Sequence, residues 1–217
     1  MIYIRLMLFI KEAAMKKISL ICLMLFFLLG CSSLSKDEKK FLSLYENPDY
    51  ALEYQYLEND QNIVSIEYQS LMKKLKKDTF ILYVGGSWCN NCQASLPFIQ
   101  KSAINNDVII YNFNPRLKNE YEYDIRNCTN KTTLGLYKRF IEMTKYQNPL
   151  GIKTENTDID RMSVPTVLAY KKGEMVGYVT REYLYDGKIL YLDDDEVKVD
   201  YSASYLNELN ELMNKIK

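Results

Sequence analysis

One short segment restricts the fold of this chain more than any other. The apolar run Phe80-Ile81-Leu82-Tyr83-Val84 leads into Trp88-Cys89-Asn90-Asn91-Cys92. A brief continuous apolar run of this kind reads as a strand buried on both faces. If a helix begins at Cys89, one sulfur stands at the helix N-terminus and the other lies one turn in, close enough to close a disulfide. That arrangement performs thiol–disulfide chemistry.

Composition removes most competing chemistries. The chain has 217 residues, 47% hydrophobic and 26% charged, which suits one globular domain of about 150 residues plus attachments. The formal charge is zero. The first thirty residues hold Arg5, Lys11, Lys16 and Lys17 against Glu12, so the remainder is slightly acidic and no nucleic-acid surface is expected. There is no histidine, which excludes Ser-His-Asp and Cys-His catalysis, His-ligated zinc or copper, and His-based pH switching. A zinc site built on Cys89 and Cys92 would need Cys128 plus a carboxylate, so neither metal nor cofactor is expected.

The N-terminus reads as a targeting segment, residues 1–30. Met15-Lys16-Lys17 precedes the apolar stretch Ile18–Leu29, then Gly30 and Cys31. The apolar stretch is too short for a spanning helix, which needs about 20 residues. Met1–Ala14 reads as an extension upstream of a true start at Met15. Leu28-Leu29-Gly30-Cys31 resembles the bacterial lipobox. That resemblance implies cleavage before Cys31, lipid attachment to it, and a membrane-anchored protein on the extracytoplasmic face. An uncleaved anchor helix, helped by apolar residues 1–10, is the alternative. Residues 31–40 read as a polar tether and 41–217 as the folded domain. Disulfides persist outside the cytoplasm. Of the five cysteines, Cys22 leaves with the signal, Cys31 takes the lipid, and Cys89, Cys92 and Cys128 remain. Cys128 reads most simply as a free thiol on a loop, with a third redox cysteine or an intermolecular link as alternatives.

Periodicity sets out the rest. Tyr50, Tyr54 and Leu57 have helical spacing in an N-terminal extension. Asn62 is expected to cap a helix with Ile63, Ile66, Leu71 and Leu75 on one face. A helix is expected from Cys89 to Ala103, a strand over Val108–Phe113, and loop over 114–131. A helix capped by Thr133 is expected to turn Leu134, Tyr137, Phe140 and Ile141 inward, followed by loop over 148–162. Thr166–Tyr170 and Met175–Val179 read as a hairpin about Lys171-Lys172-Gly173-Glu174. Tyr185–Val199 reads as a second hairpin, and a last helix from Ser204 presents Leu206, Leu209, Met213 and Ile216. The order β-α-β-α-β-β-α calls for a mixed sheet with helices on both faces.

These residues resemble a thioredoxin-like oxidoreductase. Four features carry the likeness: the strand leading to Trp88-Cys89-x-x-Cys92, Pro97 five residues on, Val164-Pro165-Thr166, and Thr166–Glu174 with its Lys-Gly-Glu turn. The likeness covers residues 62–180 and the final helix. It implies a three-layer α/β/α sandwich with a mixed central sheet, an N-terminal helical extension and an added C-terminal hairpin. It also implies that Cys89 attacks, Cys92 resolves and Trp88 shields the pair. A cis Pro165, with Val164 and Thr166, would position an extended substrate. The implied partners are a protein or peptide bearing a thiol or disulfide, a redox recycling partner, and the membrane. Residues 62–100 look closest to accessory lipoproteins such as bacteriocin transport accessory proteins. Two departures stand out. The family's buried acid aligns with Tyr83, leaving Glu67 or Asp78 as unplaced substitutes, and Asn90-Asn91 replaces Gly-Pro. They motivate a rival from another class, a non-catalytic binding lipoprotein on the same fold. Metal delivery is a weaker rival.

Overall fold

Phe80–Val84 is a strand buried along its whole length, and it is the middle strand of a five-stranded sheet. The computed structural model describes residues 34–180 and 195–217, the side chains of 195–202 excepted. In chain order the elements are α1 (Lys36–Leu42), α2 (Tyr50–Glu53), β1 (Ile63–Ser65), α3 (Tyr68–Lys74), β2 (Phe80–Val84), α4 (Asn90–Asn106), β3 (Ile110–Phe113), α5 (Lys131–Thr144), β4 (Thr166–Lys171), β5 (Glu174–Thr180) and α6 (Asp195–Asn214). Two 3-10 turns, Tyr121–Tyr123 and Ile125–Asn127, interrupt the loop after β3.

The sheet is mixed, in the order β1-β3-β2-β4-β5. β1, β3 and β2 run parallel, and β4 is antiparallel to both β2 and β5. Parallel neighbours require crossovers, which α3 and α4 supply. The β4–β5 hairpin closes through Lys172 and Gly173, both with positive φ (54° and 81°), the backbone of a two-residue type I′ turn.

Helices cover both faces of the sheet. On one, Ile81, Tyr83, Ile110, Val167 and Ala169 pack with Leu96 and Ile99 of α4 and Leu209, Leu212 and Met213 of α6. Tyr50, Tyr54 and Leu57 of the N-terminal extension complete this core. On the other face the ring of Phe113 meets Tyr68 of α3 and Phe140 of α5 at centroid separations of 6.2 and 5.3 Å. The Tyr68 hydroxyl donates to Leu136 O on α5 at 2.8 Å, binding the two helices of that layer.

Several expectations are corrected. Ile63 opens strand β1 instead of lying in a helix, because Ile63–Ser65 pair in register with Ile110–Asn112. The helix begins later, at Tyr68. Residues 36–40 are not tether but part of α1, with Glu38 buried and paired to Arg139 at 3.2 Å. α5 is capped by Asn130, reciprocally with Thr133, and buries Leu136 in place of Leu134 and Ile141. α6 starts at Asp195, so residues 195–199 are helix and not the arm of a hairpin. It buries Tyr205 and Leu212 beside Leu209 and Met213, while Leu206 and Ile216 are half-buried. The rest of the expected hairpin, the signal segment and Cys31 lie outside the described residues. No helix among the described residues is long and apolar enough to cross a membrane.

Asn112 links the extension to the sheet. It is wholly buried, accepts from the Tyr50 hydroxyl at 2.9 Å, and donates to Tyr83 O and Gly85 O at 3.3 and 3.1 Å. Asn112→Ala strands these buried groups and is expected to lower unfolding free energy by about 2–3 kcal/mol in urea titration. A loss within error of zero would contradict this role.

Candidate active site

The chain turns from the buried end of β2 into α4 over residues 85–89. Gly85 and Gly86 make that turn possible by leaving room. A Cβ at Gly85 would stand 2.4 Å from Tyr83 Oη and 2.8 Å from Cys92 Sγ. One at Gly86 would stand 2.3 Å from Trp88 Nε1 and 2.6 Å from Asn114 Oδ1. Such distances are not tolerated, so the bare backbone is what lets the tyrosine, the thiol and the indole crowd around the turn.

Cys89 is the N-cap of α4, with extended backbone (φ −103°, ψ 116°), and its side chain caps no backbone N–H. Cys92 is fully buried one turn in, and its N–H donates to Cys89 O at 2.9 Å. Both are free thiols in this structure, Cys89 half-exposed. The two therefore share a helix terminus but not an environment. A hydrogen bond from the Cys92 thiol favours the Cys89 thiolate; burial opposes it; the N–H groups of Cys92 and Asn91 and the charge of Arg126 add support. The result is a Cys89 pKa lowered to about 7. At Cys92, burial and the neighbouring Cys89 push the thiol well above its ordinary value. A thiolate at Cys89 is a nucleophile toward disulfide sulfur, and Cys92 is placed to attack whatever bond Cys89 forms.

The loop before β4 faces this pair. Cys89 Sγ lies 3.8 Å from Val164 O, and the Val164–Pro165 bond is cis. Residues 75 positions apart in sequence thus meet at the sulfur. Thr166 is buried, and its hydroxyl is committed to Ser163 O and Thr180 Oγ1, both at 2.7 Å. Its side chain secures the loop, and Val164 and Cys89 are the half-buried residues at this contact.

Trp88 is clamped. Its Nε1–H donates to Asn114 Oδ1 at 3.0 Å, and the guanidinium carbons of Arg116 and Arg126 lie 3.6 and 5.0 Å from the ring centroid. Asp124 holds both arginines: Arg126 Nη2 and Nε donate to it at 2.6 and 2.9 Å, and Arg116 Nε at 3.1 Å. Arg126 Nη1 also donates to Met162 O at 3.4 Å, tying the network to the loop that carries Pro165. Burial opposes ionisation of Asp124, but the hydrogen bonds and charge of Arg126, with Arg116, outweigh it and hold the carboxyl below its ordinary value.

The N-terminal extension braces the opposite side. Glu53 Oε2 accepts from Ser87 Oγ at 2.6 Å and Asn119 Nδ2 at 2.9 Å. Gln93 Nε2 donates to Glu53 O and Ser87 O at 2.7 and 2.8 Å. Cys128 stands apart from this arrangement, in left-handed backbone after the second 3-10 turn, with its Sγ 3.8 Å from Ile125 O. Burial raises its pKa to about 11, so it stays a thiol at neutral pH.

Sequence reasoning brought together Cys89, Cys92, Trp88, Val164 and Pro165, and the structure places them side by side. It did not find Asp124, Arg116, Arg126, Glu53 or Tyr54. Their partners are distant in sequence or fixed by irregular loop, so no periodicity marks them. Among the described residues no group of three or more Cys, Asp or Glu side chains is placed to hold a metal ion. Comparison with protein-family models, with curated proteins and with solved structures returned no match.

The thiol asymmetry sets a pH profile. Alkylation of the reduced protein by iodoacetamide is expected to rise through a midpoint near pH 7 at Cys89, while Cys92 stays unreactive across that range. Peptide mapping checks this; a Cys89 midpoint near the ordinary thiol value of about 8.5 would contradict it. The Asp124 network sets a stability profile. Because the folded carboxyl ionises more readily than the unfolded one, its contribution is complete above the unfolded pKa of about 3.9 and fades as pH falls toward the folded value. Asp124→Asn leaves Arg126 buried and unpaired, and is expected to cost about 3–5 kcal/mol at pH 7 by denaturant titration. It should also flatten the acid limb of the stability curve.

Proposed function

We propose that this chain is a thiol–disulfide oxidoreductase of thioredoxin-like fold, acting through Cys89 and Cys92 on cysteines of exported proteins or peptides. The observation that carries the reading is the pairing of Cys89, at a helix N-terminus with its sulfur 3.8 Å from Val164 O, with a buried Cys92 one turn in. The sheet order β1-β3-β2-β4-β5, with the cysteines at the end of the middle strand, supports the thioredoxin-like assignment. The lipobox-like Leu28-Leu29-Gly30-Cys31 supports lipid anchoring at Cys31 on the extracytoplasmic face of a membrane.

The reaction runs in two exchanges. The Cys89 thiolate attacks a substrate disulfide; a Cys89–substrate bond forms and the substrate's own S–S bond breaks, its electron pair leaving on the other substrate sulfur. Cys92 then attacks Cys89 Sγ; the Cys89–Cys92 bond forms and the second substrate sulfur departs with a proton. The substrate gains two electrons and the enzyme pair loses them. The reverse sequence oxidises a dithiol, and a recycling thiol or disulfide partner sets the direction. Trp88, held by Arg116, Arg126 and Asn114, keeps one wall of the site rigid. Val164 O and the backbone beside cis Pro165 offer an extended substrate a place to pair.

Cys92→Ser removes the second exchange and traps the first. In cells this variant is expected to accumulate disulfide-linked adducts that disappear on reduction and require Cys89, read on non-reducing gels. Absence of any Cys89-dependent adduct would overturn the reading.

A further inference from the structure

Two buried tyrosine hydroxyls stand beside Cys92, and the groups that act on them most are that thiol and each other. Tyr83 projects from the middle strand and Tyr54 from the N-terminal extension; both rings are fully buried. Neither Oη makes a hydrogen bond of ordinary geometry, but Tyr83 interacts with the Cys92 thiol and Tyr54 with Tyr83. Buried tyrosine hydroxyls ordinarily make a well-formed bond, and others in this chain do: Tyr50 on Asn112, Tyr68 on Leu136 O, Tyr137 on Asp160 O and Tyr170 on Thr144 O. Tyr54 and Tyr83 turn theirs toward the thiol instead. Tyr83 Oη and Cys92 Sγ lie 2.4 and 2.8 Å from the single point where Gly85 lacks a Cβ, so they converge over the same bare stretch of backbone.

We propose that the Tyr83 hydroxyl is a positioning group for the second exchange, donating a hydrogen bond to Cys92 Sγ as that sulfur becomes anionic, with Tyr54 backing Tyr83 from the extension. The proposal rests on the oxidoreductase reading and deepens it. A hydroxyl only loosely engaged with a neutral thiol has its fuller use in another charge state of the pair: a thiolate accepts a stronger hydrogen bond than a thiol does, and the Tyr83 hydroxyl favours the Cys92 thiolate. Burial holds both phenols well above their ordinary pKa, with Cys92 the leading charge each of them feels. They remain protonated donors and never act as the final base. The step balances without one. The Cys92–Cys89 bond forms, the Cys89–substrate bond breaks, its electron pair leaves on the substrate sulfur, and the proton lost by Cys92 is matched by the one that sulfur takes up.

The test separates the two exchanges. The full chain carrying Cys128→Ser is reduced and mixed with Ellman's reagent in a stopped-flow instrument. The first equivalent of thionitrobenzoate reports attack by Cys89, and the second reports closure by Cys92. Tyr83→Phe is expected to leave the first phase unchanged, to slow the second about tenfold or more, and to move its pH midpoint upward. Tyr54→Phe moves the second phase in the same direction and carries the test should Tyr83→Phe not fold. Thermal unfolding distinguishes a packing role: because the hydroxyl makes no well-formed hydrogen bond in the reduced protein, Tyr83→Phe should be no less stable than the parent. An unchanged second phase in both variants would overturn the proposal alone. A parent protein that shows no second phase would overturn the oxidoreductase reading and this proposal with it.

Discussion

The constraint on which the site depends is the passage from β2 to α4. A strand buried on both faces must become a helix within residues 85–89, at the centre of the sheet. At Gly85 and Gly86 only bare backbone fits, because Tyr83, Cys92, Trp88 and Asn114 occupy the space a Cβ would need. Everything particular to the two cysteines follows. Cys89 is left at the helix terminus, where the Cys92 thiol and the N–H groups of Cys92 and Asn91 favour its thiolate, and Cys92 is drawn into the core, where its own thiolate is disfavoured. The same motif on a solvated loop would give two ordinary thiols.

The surroundings hold that junction from two sides. On one, Asp124 gathers Arg116 and Arg126 beneath Trp88, and Arg126 reaches on to Met162 O in the loop of Pro165. The charge of Arg126 reaches Cys89 and adds to the support its anionic form draws from the Cys92 thiol. On the other, the extension before β1 is part of the site and not an appendage. Glu53 fixes Ser87 and Asn119, and Tyr50 closes on Asn112 behind the strand. Tyr54 then completes the wall around Cys92. A truncation that removed residues before β1 would therefore open the buried thiol as well as shorten the chain.

What was legible in the sequence was local. Phe80–Val84 announces itself by five consecutive apolar residues, the β4–β5 hairpin by its Lys-Gly turn, and α4 by the cysteine spacing that precedes it. Ile63, Ile66, Leu71 and Leu75 satisfy a helical period across what is in fact a three-residue strand followed by a helix, so the pattern hides β1. So short a strand has no period of its own, and its pairing with β3 decides it. Leu136 was passed over for Leu134 because the cap lies at Asn130, which shifts the buried face of α5. Asp124 and Arg126, two positions apart in a tyrosine-rich loop, carry no pattern at all. Their meaning comes from Trp88 and Met162, brought to them by the fold.

The central claim is that Cys89 and Cys92 form a reversible redox pair. Its most direct test is equilibration of the protein across a series of reduced and oxidised glutathione ratios, followed by acid quenching, alkylation and mass mapping. The account predicts a single two-electron transition in which a Cys89–Cys92 bridge forms and is lost together, with Cys128 alkylated throughout. A pair that stays bridged or stays reduced across the whole series, or a bridge that takes in Cys128, would contradict it.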